Sequence, residues 1–368
     1  MKKAGLARCR LRDLGIITGV LPCGPTNSIT DAGVRVGHTT LINGEGALVP
    51  GVGPVRTGVT VVFPHVGDTW TERASAGCFV LNGNGSVTGL DWVRESGLIE
   101  GPIALTNTHS VGDVYSALIH WMVRDHRQIG VTEDTYLPVV GECDDGPLND
   151  IQGFHVQREH VFAALDGATG GAVAEGAVGA GTGMTCYEFK GGIGSSSRVV
   201  RIGDQPYTVG VLVNCNHGSR DQLIISGVPV GRILAEDLAT MHREGSIVIV
   251  VVTNAPLAGR QLNRIAKRAA MGLALTGATA NNTSGDFVIA VSNGRLVTRD
   301  RSTVLLSLPE LSDRYITPLF RATVEATEEA ILNALCMAET TVGRDHHVAP
   351  ALPLERVCEI LRQHKALS

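Results

Sequence analysis

The sequence predicts one layered α/β domain over residues 1–368, with helices covering stacked β-sheets. Three observations predict it. Apolar runs of strand length recur from one end of the chain to the other. Alanine-rich windows with a 3.6-residue apolar period stand between them. No long linker, low-complexity tract or internal repeat marks a seam.

Strands are expected in order at Gly58–Phe63, Cys78–Leu81, Ile103–Thr106, Leu137–Glu142, Val173–Val178, Ser197–Ile202, Thr208–Asn214, Ile247–Thr253 and Phe287–Ser292. "SRVVRIGDQPYTVGVLV" reads as a hairpin around Gly203–Pro206. The helix expected at Val111–Arg127 gathers Val114, Leu118, Ile119 and Met122 on one face. The one at Gly259–Leu275 does the same with Leu262, Ile265, Ala266, Ala269 and Leu273. Asp313–Glu339 carries Leu319, Val324, Ile331 and Leu335, with Pro318 as the point where it divides.

Composition narrows the function. Hydrophobic residues are 43% and charged residues 18%, as in a globular, core-rich protein. Aromatics are only 4%, so Val, Ile, Leu and Ala must build the core. The 45 glycines have no collagen-like period and point to tight turns and close backbone contacts. A net charge of −5 without an aromatic-rich basic patch argues against nucleic acid. No apolar run reaches the ~18 residues of a membrane helix. The eight cysteines are scattered with no C-x-x-C pair, which reads as reduced thiols in a cytoplasmic protein. "MKKAGLARCRLRDLGIITGVLPCG" imitates an export signal faintly, but Arg12, Asp13, Gly15, Gly19 and Pro22 interrupt it. It reads as the start of the folded protein.

One stretch, "MHREGSIVIVVVTNAPL", raises a chemical question. Ser246 stands at the mouth of the most apolar strand, directly after Gly245. Strand-entry turn chemistry accounts for such a pair, and Gly-Ser recurs elsewhere in the chain. A serine nucleophile needs a base, and no histidine here occupies a G-x-S-x-G or related setting. Cleavage of the Gly245–Ser246 bond would supply one. The freed α-amine of Ser246 has a reference pKa near ~7.7–8, suited to a base at neutral pH. Glycine leaves its carbonyl open to attack and tolerates unusual φ/ψ.

Three further pieces offer chemistry. "ANNTSGDFVIAVSNG" places Ser284 and Asp286 around Gly285 at a strand entrance. "VGVLVNCNHGSRDQL" places Asn216 after a buried strand, where its amide can donate to an oxyanion. "LPVVGECDDGPLND" clusters Glu142, Asp144, Asp145 and Asp150, able to hold a cation or a substrate amine. Each alone also reads as ordinary turn or solvated-loop chemistry. "FKGGIGSSSR" lacks the Walker ending and reads as a glycine-rich turn near the site, lining a substrate channel. "RDHHV" at Arg344–Val348 has no matching ligands at zinc spacing and reads as exposed histidines.

Together these pieces resemble the DmpA and BapA type self-processing serine aminopeptidases. The resemblance runs in order through "NSITDAGVRVGHTTL", "GNGSVTGLDWVRESG", "PIALTNTHSVGDV", "PVVGECDDGPLND", "EGAVGAGTGM", "FKGGIGSSSR", "GVLVNCNHG", "REGSIVIVVVTNAPL" and "SGDFVIAVS". It implies a four-layer αββα sandwich of N-terminal-nucleophile type and a homo-oligomer, commonly a tetramer. It implies self-cleavage between Gly245 and Ser246 into an α-chain 1–245 and a β-chain 246–368. Ser246 matches the nucleophile, Ser284 the proton-relaying second serine, and Asp286 the acidic position two residues on. Asn216 matches the oxyanion asparagine, with His217 where the family has an aromatic. Glu142 matches the residue that binds the substrate's free amine. Asp144 stands where a tyrosine hydroxyl is expected. A carboxylate cannot donate, so Asp144 either yields that task to a backbone N–H or shares the ammonium with Glu142. No metal or cofactor is implied. The substrate class is a short peptide, amide or ester with a free amine. The alternatives are an acyltransferase of ornithine-acetyltransferase type, which uses threonine where this chain has Ser246, and an inactive binding protein of the same fold.

Overall fold

The computed structural model describes residues 6–237, 245–300 and 302–367. Met241–Glu244, at the head of the stretch quoted above, lie outside the described residues. The strands of the first half are β1 (Arg35–Asn43), β2 (Val55–Phe63), β3 (Glu72–Gly83), β4 (Leu98–Ile99), β5 (Ile103–Asn107) and β6 (Val139–Cys143). A small hairpin, β7 (Thr185–Cys186) and β8 (Phe189–Lys190), precedes β9 (Gly192–Ile202) and β10 (Gln205–Asn216). Then come β11 (Ser246–Thr253), β12 (Gly285–Thr298) and a second small hairpin, β13 (Thr341–Val342) and β14 (Val348–Ala349). The helices are α1 (Leu90–Ser96), α2 (Val111–Asp125), α3 (Arg158–Asp166), α4 (Val230–Asp237), α5 (Gly259–Leu275), α6 (Thr317–Met337) and α7 (Leu354–Gln363).

Two sheets carry the architecture. One has the order β1-β2-β5-β6; the other, β4-β3-β12-β11-β10-β9. Helices α2 and α3 cover the outer face of the four-stranded sheet, where Val114, Leu118, Val161 and Leu165 meet Val59, Val61 and Phe63. The sheets pack on each other through Val62, Ile103, Leu105 and Val139 against Leu212, Val248, Val250 and Val252. Helices α5 and α6 cover the other outer face. This is the αββα sandwich that the sequence resemblance implies.

The apolar run of β11 follows from this layering. Ile247, Ile249 and Val251 face the helices, while Val248, Val250 and Val252 face the other sheet. A strand buried on both faces has no polar side to show in its sequence. Ser246 shares the parity of the inter-sheet residues, so it opens toward the mouth between the two sheets.

Pro318 does not break a helix. Asp313–Tyr315 form a 3₁₀ turn, and Pro318 lies in the first turn of α6. Its missing N–H is one that a first turn leaves unbonded anyway. The strand expected at Val173–Val178 is absent. Gly176 makes one bridge to Ile193, and the segment is held instead by buried Glu175, which accepts Ser195 N–H at 2.7 Å and pairs with Arg10. "FKGGIGSSSR" is likewise not a turn lining a channel; most of it is β8 and β9, buried beneath α6. A Cβ on Gly194 would stand 1.9 Å from Ala330 O, so glycine permits the helix to lie against the strand. The hairpin at Gly203–Pro206 is present, with Ile202 paired to Gln205 across the turn.

Candidate active site

Ser246 is the first residue of β11 and pairs across the ladder with Asn216, the last of β10. On its other side β11 runs parallel to β12, with Ile247 beside Asp286. The ends of three adjacent strands therefore deliver Ser246, Asn216 and the Ser284–Asp286 turn to one place. Ser246 is 8% exposed, and its Oγ accepts the Gly285 N–H at 3.2 Å. Ser284 Oγ donates to Asp286 Oδ1 at 2.7 Å. Burial raises the Asp286 carboxyl, while the Ser284 hydrogen bond and the His217 charge oppose the rise.

Gly245 is described in place ahead of Ser246. A Cβ there would stand 1.6 Å from Asn216 O. Close approach of two backbones is thus one reason for glycine here.

Asn216 is held at both ends of its amide. Its Oδ1 accepts Thr185 N–H at 2.9 Å, and its Nδ2 donates to Asp144 O at 2.8 Å. The second N–H of that amide is the group available to an oxyanion. Neighbouring Cys215 faces the helices, and with Cys186 and His217 it forms a buried cluster whose donor atoms lie within 4.8 Å of one another. This donor set also suits a soft metal ion. Burial alone would push the Cys186 thiol up, but Cys215 and the charge of His217 bring it down to about 5. Burial likewise works against His217, and Cys186 raises it. Cys186 and His217 thus each favour the other's charged form, in the layer behind Asn216. A void of about 10 Å³, the size of one water, lies between His217, Gly245, Ser284 and Asp286.

On the solvent side Gly245 and Ser246 line an open cavity of about 870 Å³. Glu142 lines it from the end of β6, 3% exposed. Its carboxylate accepts the Ser86 N–H at 2.7 Å and the Thr108 hydroxyl. Burial raises its pKa against those two hydrogen bonds. Asp144 lines the same cavity but lies beyond the strand and is exposed. Its Oδ1 accepts Gly146 N–H at 2.8 Å, which closes a turn. The other acidic residues are structural. Asp145 is fully buried and bonded to Asn149, and Asp150 accepts from Gly51 N–H and pairs with His155.

Residues 27–349 match Peptidase family S58. The chain belongs to this family. It is 44% identical to the β-peptidyl aminopeptidase BapA of Sphingosinicella xenopeptidilytica, over 98% of this chain and 92% of that one. A crystal structure from Pyrococcus horikoshii OT3 superposes with a TM-score of 0.94 at 49% identity, covering 97% of this chain and 99% of its own. The L-aminopeptidase D-Ala-esterase/amidase of Ochrobactrum anthropi, described as a variant of the Ntn hydrolase fold, gives 0.90 at 39% identity over 98% and 99% of the two chains. The S58 membership makes this protein a peptidase, as the sequence resemblance implied.

Within this S58 chain, Ser246, Asn216, Ser284 and Asp286 converge from three strand ends, and Glu142 and Asp144 line the cavity that Ser246 opens into. Sequence reasoning missed the partners that hold Glu142. Ser86 lies in "NGNGS" and Thr108 in "TNTHS", and each reads locally as a turn or helix-cap residue. It also set aside Arg344–Val348 as exposed. The structure instead brings Arg344 and His347 into the cavity wall, about a hundred residues after Ser246 in the chain.

Proposed function

We propose that the chain is a self-processing aminopeptidase in which Ser246 is the nucleophile of both maturation and turnover. The carrying observation is that Ser246 opens onto the 870 Å³ cavity, directly after a glycine at which a Cβ would stand 1.6 Å from Asn216 O. In maturation, Ser246 Oγ attacks the Gly245 carbonyl and its proton passes to the departing α-nitrogen. Water then hydrolyses the Gly245 ester. The products are pieces 1–245 and 246–368. In turnover, the freed α-amine takes the Oγ proton as Oγ attacks the substrate carbonyl. Asn216 donates to the oxyanion, and Ser284, held by Asp286, relays the proton to the leaving amine. Glu142, with Asp144, receives the substrate's free ammonium. The substrates are short peptides, amides or esters with an unblocked amine.

A cytoplasmic homotetramer belongs to the same proposal. It is supported by the family resemblance and by eight free cysteines. Among the described residues no helix is long and apolar enough to cross a membrane. Intact-mass spectrometry tests the central claim. The wild type should give two pieces that meet between Gly245 and Ser246, and Ser246→Ala one uncut, inactive chain. Normal cutting in that variant removes Ser246 from the mechanism.

A further inference from the structure

Arg344 and His347 sit at the tip of the β13–β14 hairpin. The tip is pinned to the loop that follows Glu142 and Asp144. Arg344 N–H donates to Leu148 O at 3.0 Å, and the Arg344 Nε–H to Gly146 O. His347 Nδ1 lies 2.9 Å from Pro147 O, so it carries the proton and leaves Nε2 outward. Asp345 and His346 have φ of 55° and 58°, two successive left-handed residues of which neither is glycine. Such conformations are costly and persist where surrounding contacts impose them. Here they turn the chain so that Arg344 and His347 both line the cavity.

The guanidinium is only partly used. Nε serves Gly146, and Nη1 meets Asp345 Oδ2 at 3.1 Å. Among the described residues no protein acceptor meets Nη2. The side chain is 28% exposed, so it is both anchored and reachable. The same cavity therefore carries both signs of charge: Glu142, Asp144 and Asp150 line it together with Arg344 and His347. Gly146 lies between Asp144 and Arg344, its N–H on the one and its carbonyl on the other. Glu142 and Gly146 are four residues apart, a separation of at most ~14 Å even if fully extended. The ammonium and carboxylate of an extended dipeptide fall within that span.

We propose that Arg344 and His347 form a carboxylate-binding subsite at the leaving-group end of the cavity, so that dipeptides with a free C-terminus are the favoured substrates. This rests on the aminopeptidase reading above and specifies its substrate class. An arginine fork matches a carboxylate's geometry, and such charge-assisted bonds are among the stronger ones. The same chemistry gives no advantage to a C-terminal amide.

The test compares alanyl-leucine with alanyl-leucinamide, with L-, D- and β-alanine in the first position. The free acids should have the lower KM, by roughly tenfold. Arg344→Met should erase that difference. Arg344→Lys should restore part of it. Equal KM for acid and amide in the wild type overturns the subsite, and needs no variant. A preference that survives Arg344→Met assigns it elsewhere. Equal loss on both substrates makes Arg344 a clamp for the 146–149 loop and overturns the proposal too. If the wild type cleaves neither acid nor amide, it is the aminopeptidase reading itself that fails.

Discussion

Asn216 and Ser246 face each other directly across the β10–β11 ladder, and the Asn216 amide is tied to Asp144 O at 2.8 Å. One side chain thus joins the strand of Ser246 to the acidic loop of the cavity.

Asn216→Ala should lower kcat by roughly 10²–10³, the usual cost of losing an oxyanion donor. Asn216→Asp keeps an acceptor for Thr185 N–H but removes both amide N–H donors, the one on Asp144 O included. Both variants should be equally impaired in kcat. Cleavage state must be established first by mass, because the same donor serves maturation. A near-normal kcat in the aspartate variant moves the oxyanion site to another group.

Gly245→Ala places a methyl group 1.6 Å from where Asn216 O now lies. The strands must part to admit it, and the scissile carbonyl shifts away from Ser246 Oγ. We expect a folded chain that cuts itself far more slowly than wild type, read by following the intact mass over days. Wild-type cutting kinetics would show that the contact yields freely.

Glu142→Gln should raise KM for free-amine substrates and leave self-cleavage intact. N-acetylated counterparts should be poor substrates of both proteins. Burial raises the Glu142 carboxyl, so it loses its charge at a higher pH than an exposed glutamate would. On acidification, kcat/KM for a free-amine substrate should therefore fall early. That limb of the pH profile should vanish in the glutamine variant, and an unchanged limb would exclude Glu142 from amine binding.

Stability should also respond to pH. Burial pushes Asp145 up to about 7, and Thr57 and Asn149 oppose it. Its unfolded value is near ~3.9. A carboxyl raised on folding stabilises the fold below the unfolded pKa, and that contribution is lost as pH rises through about 7. Measured in the uncut Ser246→Ala background, Tm should fall between about pH 4 and 7, and Asp145→Asn should flatten the fall. The same slope in both chains would assign it to other buried acids, Glu175 and Glu328, which burial also pushes up to about 7.

What the sequence made legible follows from burial. β11, buried on both faces, announces itself as an unbroken apolar run. α5 shows a clean 3.6-residue stripe because one face meets the core and the other meets solvent. β1 went unseen because its second half is mostly exposed and polar, so no alternation marks it. Val173–Val178 misled because small apolar residues around Gly176 fit a strand locally, while Glu175 fixes the segment through side-chain bonds. The neighbours of Ser246 were readable as motifs because each sits at a strand end with its glycine. The Arg344–His347 contribution was not, because only the folding of the last hairpin brings it to the cavity.

If the Gly245–Ser246 bond is cut as proposed, the strand order has a further consequence. β11 and β12 belong to the 123-residue C-terminal piece, yet they lie between β10 and β3 of the N-terminal piece. The N-terminal segment in turn reaches α6, where Leu11 N–H donates to Asn333 Oδ1 at 3.0 Å. The two polypeptides are interleaved through the centre of one sheet, so neither can leave without breaking ladders on both flanks. They will run as two bands in denaturant and co-elute under native conditions. Unfolding then turns a unimolecular fold into a second-order search between partners that were threaded together only while covalently one. The mature enzyme's endurance is accordingly set by its unfolding rate rather than by an equilibrium, and a sample once melted will recover poorly at low protein concentration.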